Sequence, residues 1–185
     1  STLKILLAHT AEDRGNAGPD YQFGYGSVRI QRAVDFLRTG SFLEAEVDQS
    51  GTYSVLVLVE PGDPELKVTL AWDDFPATLN TGTALINDLD LRVFDPSSTQ
   101  PFPWTLDPLA ASAAAVQTQA NRRDNIEQVY VQSPAAGVWR VEVSGFNIPQ
   151  GPQPFSIATS PELVACSTTG IVVLDAPKYA CSDTA

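Results

Sequence analysis

The sequence has no methionine, a single histidine and only two cysteines among its 185 residues. One histidine cannot form a convincing zinc site with two cysteines that both lie near the end of the chain. No apolar run approaches the roughly 18 residues that a membrane-spanning helix needs, so we expect no membrane partner. The lack of methionine leads us to expect a processed or excised piece of a longer protein.

Basic residues are also scarce, with 11 Lys and Arg against 22 Asp and Glu, for a net charge of -11. Such a surface repels phosphate backbones, so we expect no nucleic-acid partner. It suits divalent cations and extracellular life, although solubility alone also explains it. Cys166 and Cys181 are expected to form a disulfide that closes a loop of roughly 15 residues, with two free buried thiols as the alternative.

Two helices are predicted at the start of the chain. Residues 3–8, LKILLA, are apolar on nearly all sides, which is typical of a buried helix. After a loop rich in Gly, Asp and aromatic residues, Ser27 is the expected N-cap of a helix that begins at Val28, and Gly40 stands at its C′ position. Both helices are too small to enclose a core, so we expect them to need a partner outside this chain. The apolar stripe of the second helix consists of Ile30, Ala33, Val34 and Leu37.

From Phe42 onward the hydrophobic period changes to two, and turn signals separate seven short segments. Strands without intervening helices predict a mainly β fold, a jelly-roll β-sandwich. Residues 95–125 are predicted to form a long surface connection, with a short alanine-rich helix as a partial alternative. A further strand, Gly170–Leu174, is predicted between the cysteines. The seven predicted strands are Phe42–Val47, Tyr53–Val59, Leu66–Trp72, Leu85–Phe94, Ile126–Gln132, Val138–Ser144 and Phe155–Thr159.

The opening stretch carries many spaced residues of the pattern xTAxDxGxxGPDxxxGYGxVxxxxAV. It resembles the end of the catalytic domain of subtilisin-like serine proteases, the subtilases. The stretches LKVTLAWDDFPAT, ALINDLDLRVFDP and RRDNIEQVYVQSPAAGVWRVEVSGFNIPQGPQPFSIA resemble the jelly-roll domain that follows it in the oxidatively stable alkaline subtilases. The matching residues of the opening stretch are Thr10, Ala11, Asp13, Gly15, Gly18, Pro19, Asp20, Gly24, Tyr25, Gly26, Val28, Ala33 and Val34.

This resemblance, which covers about residues 3–160, implies a division of the chain into three parts. Residues 1–40 are the tail of the catalytic domain, residues 41–160 the jelly-roll sandwich, and residues 161–185 a linker or the start of a further module. The implied function is a non-catalytic C-terminal domain that stabilises a secreted serine endopeptidase. The implied partners are the catalytic domain of the parent protease and its protein substrate.

The chain alone is not expected to be an enzyme, because the catalytic Asp, His and Ser of a subtilase are all absent. No G-T-S-x-A setting for the nucleophile occurs in the sequence. His9 lies in an apolar helix, where the family commonly has Asn, and we interpret it as structural. The alternative function is a β-sandwich module that binds substrate or polysaccharide, because jelly rolls host many such functions.

Acidic and amide residues cluster at the ends of the predicted strands, where loops can supply the roughly six to eight oxygen ligands of a calcium ion. Taken alone, such residues are usually solvated, but the resemblance implies calcium binding in this domain. Asp88 and Asp90 share one strand face, so they repel each other unless a cation or an arginine lies between them. Arg92 and Arg123 are the metal-free alternatives. The expected ligands are Asp74, Asn87, Asp88, Asp90 and Glu127.

Three tryptophans and a cluster of loop aromatics complete the candidates. Trp72 and Trp139 lie in strand patterns and are expected in the core. Trp104, in a proline-rich loop, is expected to hold the long connection onto the sandwich, with an exposed stacking platform for sugar or peptide as the alternative. The aromatics expected between the catalytic domain and the sandwich are Tyr21, Phe23 and Tyr25.

Overall fold

The computed structural model describes residues 1–39, 41–79 and 84–164. Two helices precede two four-stranded antiparallel sheets, so the predicted mainly β sandwich is confirmed. Cys166, Cys181, Gly40 and the predicted strand Gly170–Leu174 lie outside the described residues. The elements are α1 Thr2–Thr10, α2 Ile30–Thr39, β1 Phe42–Val47, β2 Thr52–Val59, β3 Glu65–Trp72, β4 Asp88–Phe94, β5 Ile126–Gln132, β6 Gly137–Asn147, β7 Gln153–Ser160 and β8 Leu163–Val164.

Consecutive strands alternate between the two sheets. The first sheet has the order β1-β7-β3-β5 and the second has the order β4-β6-β2-β8. Strands β4 and β5 therefore each end a sheet, and their side chains meet across one side of the sandwich. The short strand β8, which the sequence did not predict, pairs with Leu56 and Val57 of β2.

The core lies between the sheets and is filled from both of them. Trp72 is fully buried and Trp139 nearly so, which confirms their predicted place in the core. Both indole N–H groups have acceptors, because Trp72 donates to the Asn87 carbonyl at 2.9 Å and Trp139 to the Ala135 carbonyl at 2.8 Å. Neither ring therefore leaves a buried donor unsatisfied.

Helix α1 packs on the outer face of the first sheet. Ile5 is fully buried there against two small residues, Ala71 of β3 and Ala158 of β7, which leave room for the helix. The prediction that both helices lack a partner within the chain is therefore wrong for α1. Helix α1 finds a partner within the chain because β3 and β7 carry apolar residues on their outer face as well as on the face that lines the core.

Helix α2 begins at Ile30, two residues later than predicted, because the Ser27 backbone bridges to Glu12. The Ser27 N–H donates to the Glu12 carbonyl at 2.8 Å, and this bridge keeps Ser27 in a loop conformation. Of the apolar stripe only Ala33 is buried. No helix among the described residues is long and apolar enough to cross a membrane.

The long connection between β4 and β5 contains turns and one isolated bridge, Thr105 to Val116, where an alanine-rich helix was the alternative. That alternative is wrong, and the surface connection is confirmed. The backbone N–H of Trp104 donates to the Gln128 carbonyl at 2.8 Å, and this bond fixes the connection along β5. Val116, directly after the alanine-rich run, exchanges both of its backbone hydrogen bonds with Thr105, so these groups are not available for helical hydrogen bonds.

Candidate functional site

The five residues predicted to bind calcium fall into two polar networks at one end of β4. Asp74 and Asn87 belong to a loop network that joins the end of β3 to the start of β4. Asp88 and Asp90 lie on β4, and Glu127 lies on the neighbouring edge strand β5. The strand ends therefore bring the predicted residues into one region, but with different partners.

The Asp74 carboxylate organises the backbone before β4. Its Oδ1 accepts the N–H groups of Phe75 and Asn87 at 2.9 and 2.8 Å, and its Oδ2 accepts the N–H of Ile86 at 2.7 Å. These bonds turn the chain away from strand geometry, so β4 begins at Asp88 and not at the predicted Leu85. Both carboxylate oxygens are engaged by this loop.

The Asn87 side chain is fully buried and links the start of β4 to the segment before β7. Its Nδ2 donates at 2.7 Å both to the Gln150 carbonyl and to Oε1 of Gln153, and its Oδ1 accepts the Gln150 N–H at 3.2 Å. Because every polar atom of the amide has a partner, Asn87 holds the loops together.

Asp88 and Asp90 share one arginine, Arg122, which comes from the end of the long connection. Its Nη1 contacts Oδ1 of Asp88 at 3.3 Å and also pairs with Oδ1 of Asp90, while Nη2 donates to Oδ2 of Asp90 at 3.0 Å. Both aspartates are buried, which is why they need a cation beside them. The metal-free alternative had the correct chemistry but named the wrong arginines.

Neither predicted arginine occupies this place. Arg92 is exposed and lies opposite Glu142 in the β4–β6 pair. Arg123 lines a shallow cavity of about 310 Å³ together with Asp74 and Asp124. The adjacent basic residues in RRDN were the available sequence signal, but strand parity alone did not decide which one reaches β4.

The Arg122 guanidinium also stacks on Phe146, 3.5 Å from the ring centroid. A β-bulge explains the contact, because Asp88 pairs with Asn147 whereas Leu89 pairs with Gly145. Phe146 is the extra residue of the bulge, and its ring lies over the arginine. A planar guanidinium can bind a carboxylate in its plane and an aromatic ring on its face at the same time.

Glu127 is the most unusual carboxyl group, because it is fully buried inside the sandwich. Its Oε2 accepts the Leu91 N–H at 2.8 Å, while Oε1 has no hydrogen-bond partner among the described residues. Burial raises the pKa of Glu127 well above its ordinary value, and the nearby Asp88 and Asp90 charges act in the same direction. Burial also raises the pKa of Asp88.

The arrangement does not fit a calcium ion. Calcium needs several carboxylate, amide or carbonyl oxygens that are free to converge on it. Here the Asp74 and Asn87 oxygens accept hydrogen bonds from backbone N–H groups, and a guanidinium holds Asp88 and Asp90. Of these five residues, only Glu127 has a fully buried oxygen without a partner among the described residues. Among residues 1–39, 41–79 and 84–164 no group of three or more His, Cys, Asp or Glu residues could hold a metal.

His9 occupies a buried position between α1 and the first sheet. Its Nδ1 lies 2.9 Å from Oγ1 of Thr69, its Nε2 lies 2.9 Å from Oγ of Ser160, and its ring stacks near Phe36. Burial lowers the pKa of His9 to about 3, and the charge on Lys67 adds to this effect. A neutral, enclosed imidazole between two hydroxyl groups agrees with the structural interpretation of this residue.

The opening loop packs against the long connection and β5. Gly18 has a φ of +77°, and a Cβ at this position would lie 2.8 Å from the Trp104 ring. Trp104 thus covers Gly18 and holds the connection, as predicted. Nearby, the Tyr25 hydroxyl donates to the Ile126 carbonyl at 3.1 Å. The glycine-rich pattern of this loop therefore has a local cause, since the backbone approaches an indole ring closely.

An apolar surface remains exposed on α2. It consists of Ile30, Val34 and Leu37, which are 63%, 39% and 48% exposed, and we call it the α2 surface. Tyr21 and Phe23 in the preceding loop are about half exposed as well. Of the three loop aromatics, Tyr25 contacts the sandwich through its hydroxyl, whereas Tyr21 and Phe23 keep large exposed areas.

Comparisons with known proteins identify no family. No family model and no curated protein matches the chain. The lipase BlEst2 of Bacillus licheniformis in its propeptide form is 13% identical with a TM-score of 0.35, and the match covers 64% of this chain and 22% of that chain. At this level the similarity carries no functional information.

Two further solved structures are similar to the same degree. PliG of Aeromonas hydrophila, a periplasmic inhibitor of g-type lysozyme, is 16% identical with a TM-score of 0.35 over 68% of this chain and 89% of that chain. A protein from Sulfurospirillum deleyianum is 7% identical with a TM-score of 0.32 over 65% of this chain and 98% of that chain. Neither likeness bears on what the chain binds.

Proposed function

We propose that this chain is the non-catalytic C-terminal part of a secreted subtilisin-like serine endopeptidase, and that it stabilises the catalytic domain. The observation that carries the proposal is the exposed α2 surface. It lies in the segment that resembles the end of a subtilase catalytic domain, and a stripe of large apolar side chains on a helix is typical of a buried face.

The energetic argument concerns the side chains of the α2 surface. Fully burying one side chain of this size contributes roughly 1.5–3 kcal/mol, so covering Ile30, Val34 and Leu37 by the catalytic domain would stabilise both partners. Without that cover α2 is held mainly by Ala33 and by Phe36, whose ring stacks on His9. We therefore expect α2 to open more readily than the sandwich.

The opening segment also links the two proposed partners mechanically. Ile5 of α1 and the Tyr25 hydroxyl hold this segment on the sandwich, while the α2 surface points to solvent. A catalytic domain that covered α2 would thereby be braced against the β-sandwich. The protein substrate would meet the chain only through the enzyme to which it is joined.

The chain alone is proposed to hydrolyse nothing. His9 is the only histidine in the sequence, and it is buried with both ring nitrogens at hydroxyl groups. Its low pKa makes it a weak general base near neutral pH. Calcium binding, which the resemblance implied, is left out of this proposal, because the arrangement of its five predicted ligands gives it no support.

The alternative function, a module that binds polysaccharide or protein substrate, has less support. Its aromatic candidate Trp104 packs against Gly18 and is only partly exposed. A polysaccharide-binding module typically offers an open aromatic face for stacking. Retention of the chain on insoluble polysaccharide would nevertheless favour this alternative.

The proposal predicts the sequence of the gene upstream of the Ser1 codon. It should encode D-[ST]-G, H-G-T and G-T-S-x-A motifs, because these supply the catalytic Asp, His and Ser that this chain lacks. In that intact protein, Val34→Asp together with Leu37→Asp should lower the melting temperature of the catalytic domain. Leu109→Asp is the matched control, since Leu109 is 96% exposed on a loop far along the chain from α2.

Two outcomes would contradict the proposal. One is an upstream gene without the three motifs. The other is an intact protease whose catalytic domain melts at the same temperature with the double α2 change as with the Leu109 change.

A further inference from the structure

Three buried carboxyl groups lie on the neighbouring edge strands of the two sheets. Asp88 and Asp90 of β4 and Glu127 of β5 form this group, which we call the carboxylate cluster. The cluster is tied together by the Glu127 carboxylate, which accepts the N–H of Leu91, the residue next to Asp90. The end of the long connection lies over the cluster and supplies one positive charge, Arg122.

We propose that Arg122 is the internal counter-cation of the carboxylate cluster, and that it takes the place that a divalent cation would need there. The fold of this chain then does not depend on calcium. This inference comes from contacts within the sandwich and does not rest on the proposed protease role.

The geometry of Arg122 accounts for both aspartates. One guanidinium binds Asp90 with two nitrogens and reaches Asp88 with one of them, so it already occupies the position between these carboxylates. Phe146 covers one face of the guanidinium at 3.5 Å. A lysine could supply the charge but not the planar fork or the stacked face.

The cluster also shows what removal of Arg122 would leave. Asp88 and Asp90, which both touch the same guanidinium nitrogen, would become uncompensated buried charges, and such charges are strongly destabilising. Their oxygens are of the type that calcium binds, and Glu127 of the neighbouring edge strand carries one oxygen, Oε1, without a partner among the described residues. A variant without Arg122 should therefore acquire a response to calcium that the natural sequence lacks.

The test is thermal unfolding of the whole 185-residue chain in excess EGTA and in millimolar calcium chloride. The natural sequence should melt at the same temperature in both solutions. Arg122→Gln should melt about 6–20 °C lower in EGTA, as expected when two buried carboxylates lose their shared partner in a chain of this size. Calcium should recover part of that loss.

Arg140→Gln is the matched control. Arg140 also pairs with a carboxylate, Glu142, and lies over an aromatic ring, Phe94 at 4.2 Å, but it is about half exposed and serves one carboxylate. Its replacement should lower the melting temperature by less than Arg122→Gln does, because it leaves one carboxylate without its partner where Arg122→Gln leaves two. Calcium should not change that value.

A higher melting temperature of the natural sequence in calcium than in EGTA would overturn the inference. So would an Arg122→Gln variant that melts like Arg140→Gln. If calcium still rescues Arg122→Gln after Asp88→Asn and Asp90→Asn are added, the cluster is not where the ion binds.

If Arg122→Gln does not fold in either solution, Arg122→Lys replaces it in the test. The lysine keeps the charge and loses the fork, so an intermediate melting temperature supports the role of the guanidinium. A melting temperature equal to that of the natural sequence would contradict it.

Discussion

At the scale of single residues, two buried titratable side chains oppose each other in their response to pH. His9 has a lowered pKa because its charged form is disfavoured inside the protein, and Glu127 has a raised pKa for the same reason. Lowering the pH therefore reduces the free energy of unfolding through His9, whereas raising the pH reduces it through Glu127. In the natural sequence the two effects partly cancel, and single substitutions should separate them.

The change Glu127→Gln should remove a loss of stability that appears as pH rises. The folded pKa of Glu127 lies above its unfolded value of 4.5, so its contribution is complete below 4.5 and is lost as pH rises through the folded pKa. Gln can still accept the Leu91 N–H and carries no charge. Measured from pH 4.5 to pH 8, the variant should become progressively more stable relative to the natural sequence, by at most about 1.4 kcal/mol per pH unit.

Urea unfolding across this pH range measures the difference. Glu60→Gln is the control, because Glu60 is exposed at the turn after β2. A constant difference between the natural sequence and Glu127→Gln at all pH values would show that Glu127 does not titrate in this way.

The change His9→Gln should remove a loss of stability that appears as pH falls. The folded pKa is about 3 and the ordinary value is 6.5, so the contribution of neutral His9 is complete above 6.5 and is lost as pH falls from there towards 3. The slope in this window is at most about 1.4 kcal/mol per pH unit. Unfolding free energies measured from pH 7 to pH 4 should show it in the natural sequence but not in the variant.

At the scale of elements, the opening loop is attached through close backbone contacts that a larger residue would disrupt. Gly18→Ala would place a methyl group 2.8 Å from the Trp104 ring, at a positive φ that alanine rarely adopts. We expect a loss of about 2–3 kcal/mol and a change in tryptophan fluorescence, because the indole must move.

Gly62→Ala is the matched control for that change. Gly62 also has a positive φ, of +98°, but a Cβ there meets no atom within 4 Å. It should therefore show the backbone strain alone, about 1 kcal/mol. Equal losses in the two variants would mean that the contact between Gly18 and Trp104 does not form.

The elements also differ in how far the sequence could predict them. Alternation of apolar and polar residues identified all seven long strands, because one face of each strand is in the core. The start of α2 and the start of β4 were wrong, since Glu12 pairs with Ser27 and Asp74 takes the N–H groups before Asp88. Such contacts depend on the tertiary fold and leave no local pattern in the sequence.

The same limit applies to the candidate site. The sequence predicted that Asp88 and Asp90 share a face and need a positive partner, and this follows from strand parity. It did not identify Arg122, because the partner lies 32 residues from Asp90 at the end of an irregular connection. It also did not predict that the side-chain oxygens of Asp74 and Asn87 would accept hydrogen bonds from backbone N–H groups.

At the scale of the whole molecule, three parts of the chain meet on one side of the sandwich. The opening loop lies on Trp104, the long connection carries Arg122 onto β4, and Glu127 joins β5 to β4. Buried charged residues and contacts between distant segments are thus concentrated along the edge strands β4 and β5. The α2 surface, on a different part of the chain, is left exposed by the rest of the described residues.

The alternation of strands between the sheets has a consequence for how the chain reaches this structure. No strand pairs with the one before or after it, so no hairpin can form early as a local nucleus. β1 can form its backbone hydrogen bonds only with β7, which lies roughly a hundred residues later in the chain. We therefore expect assembly on the slow scale of milliseconds to seconds, with neither sheet able to form before most of the polypeptide has been synthesised.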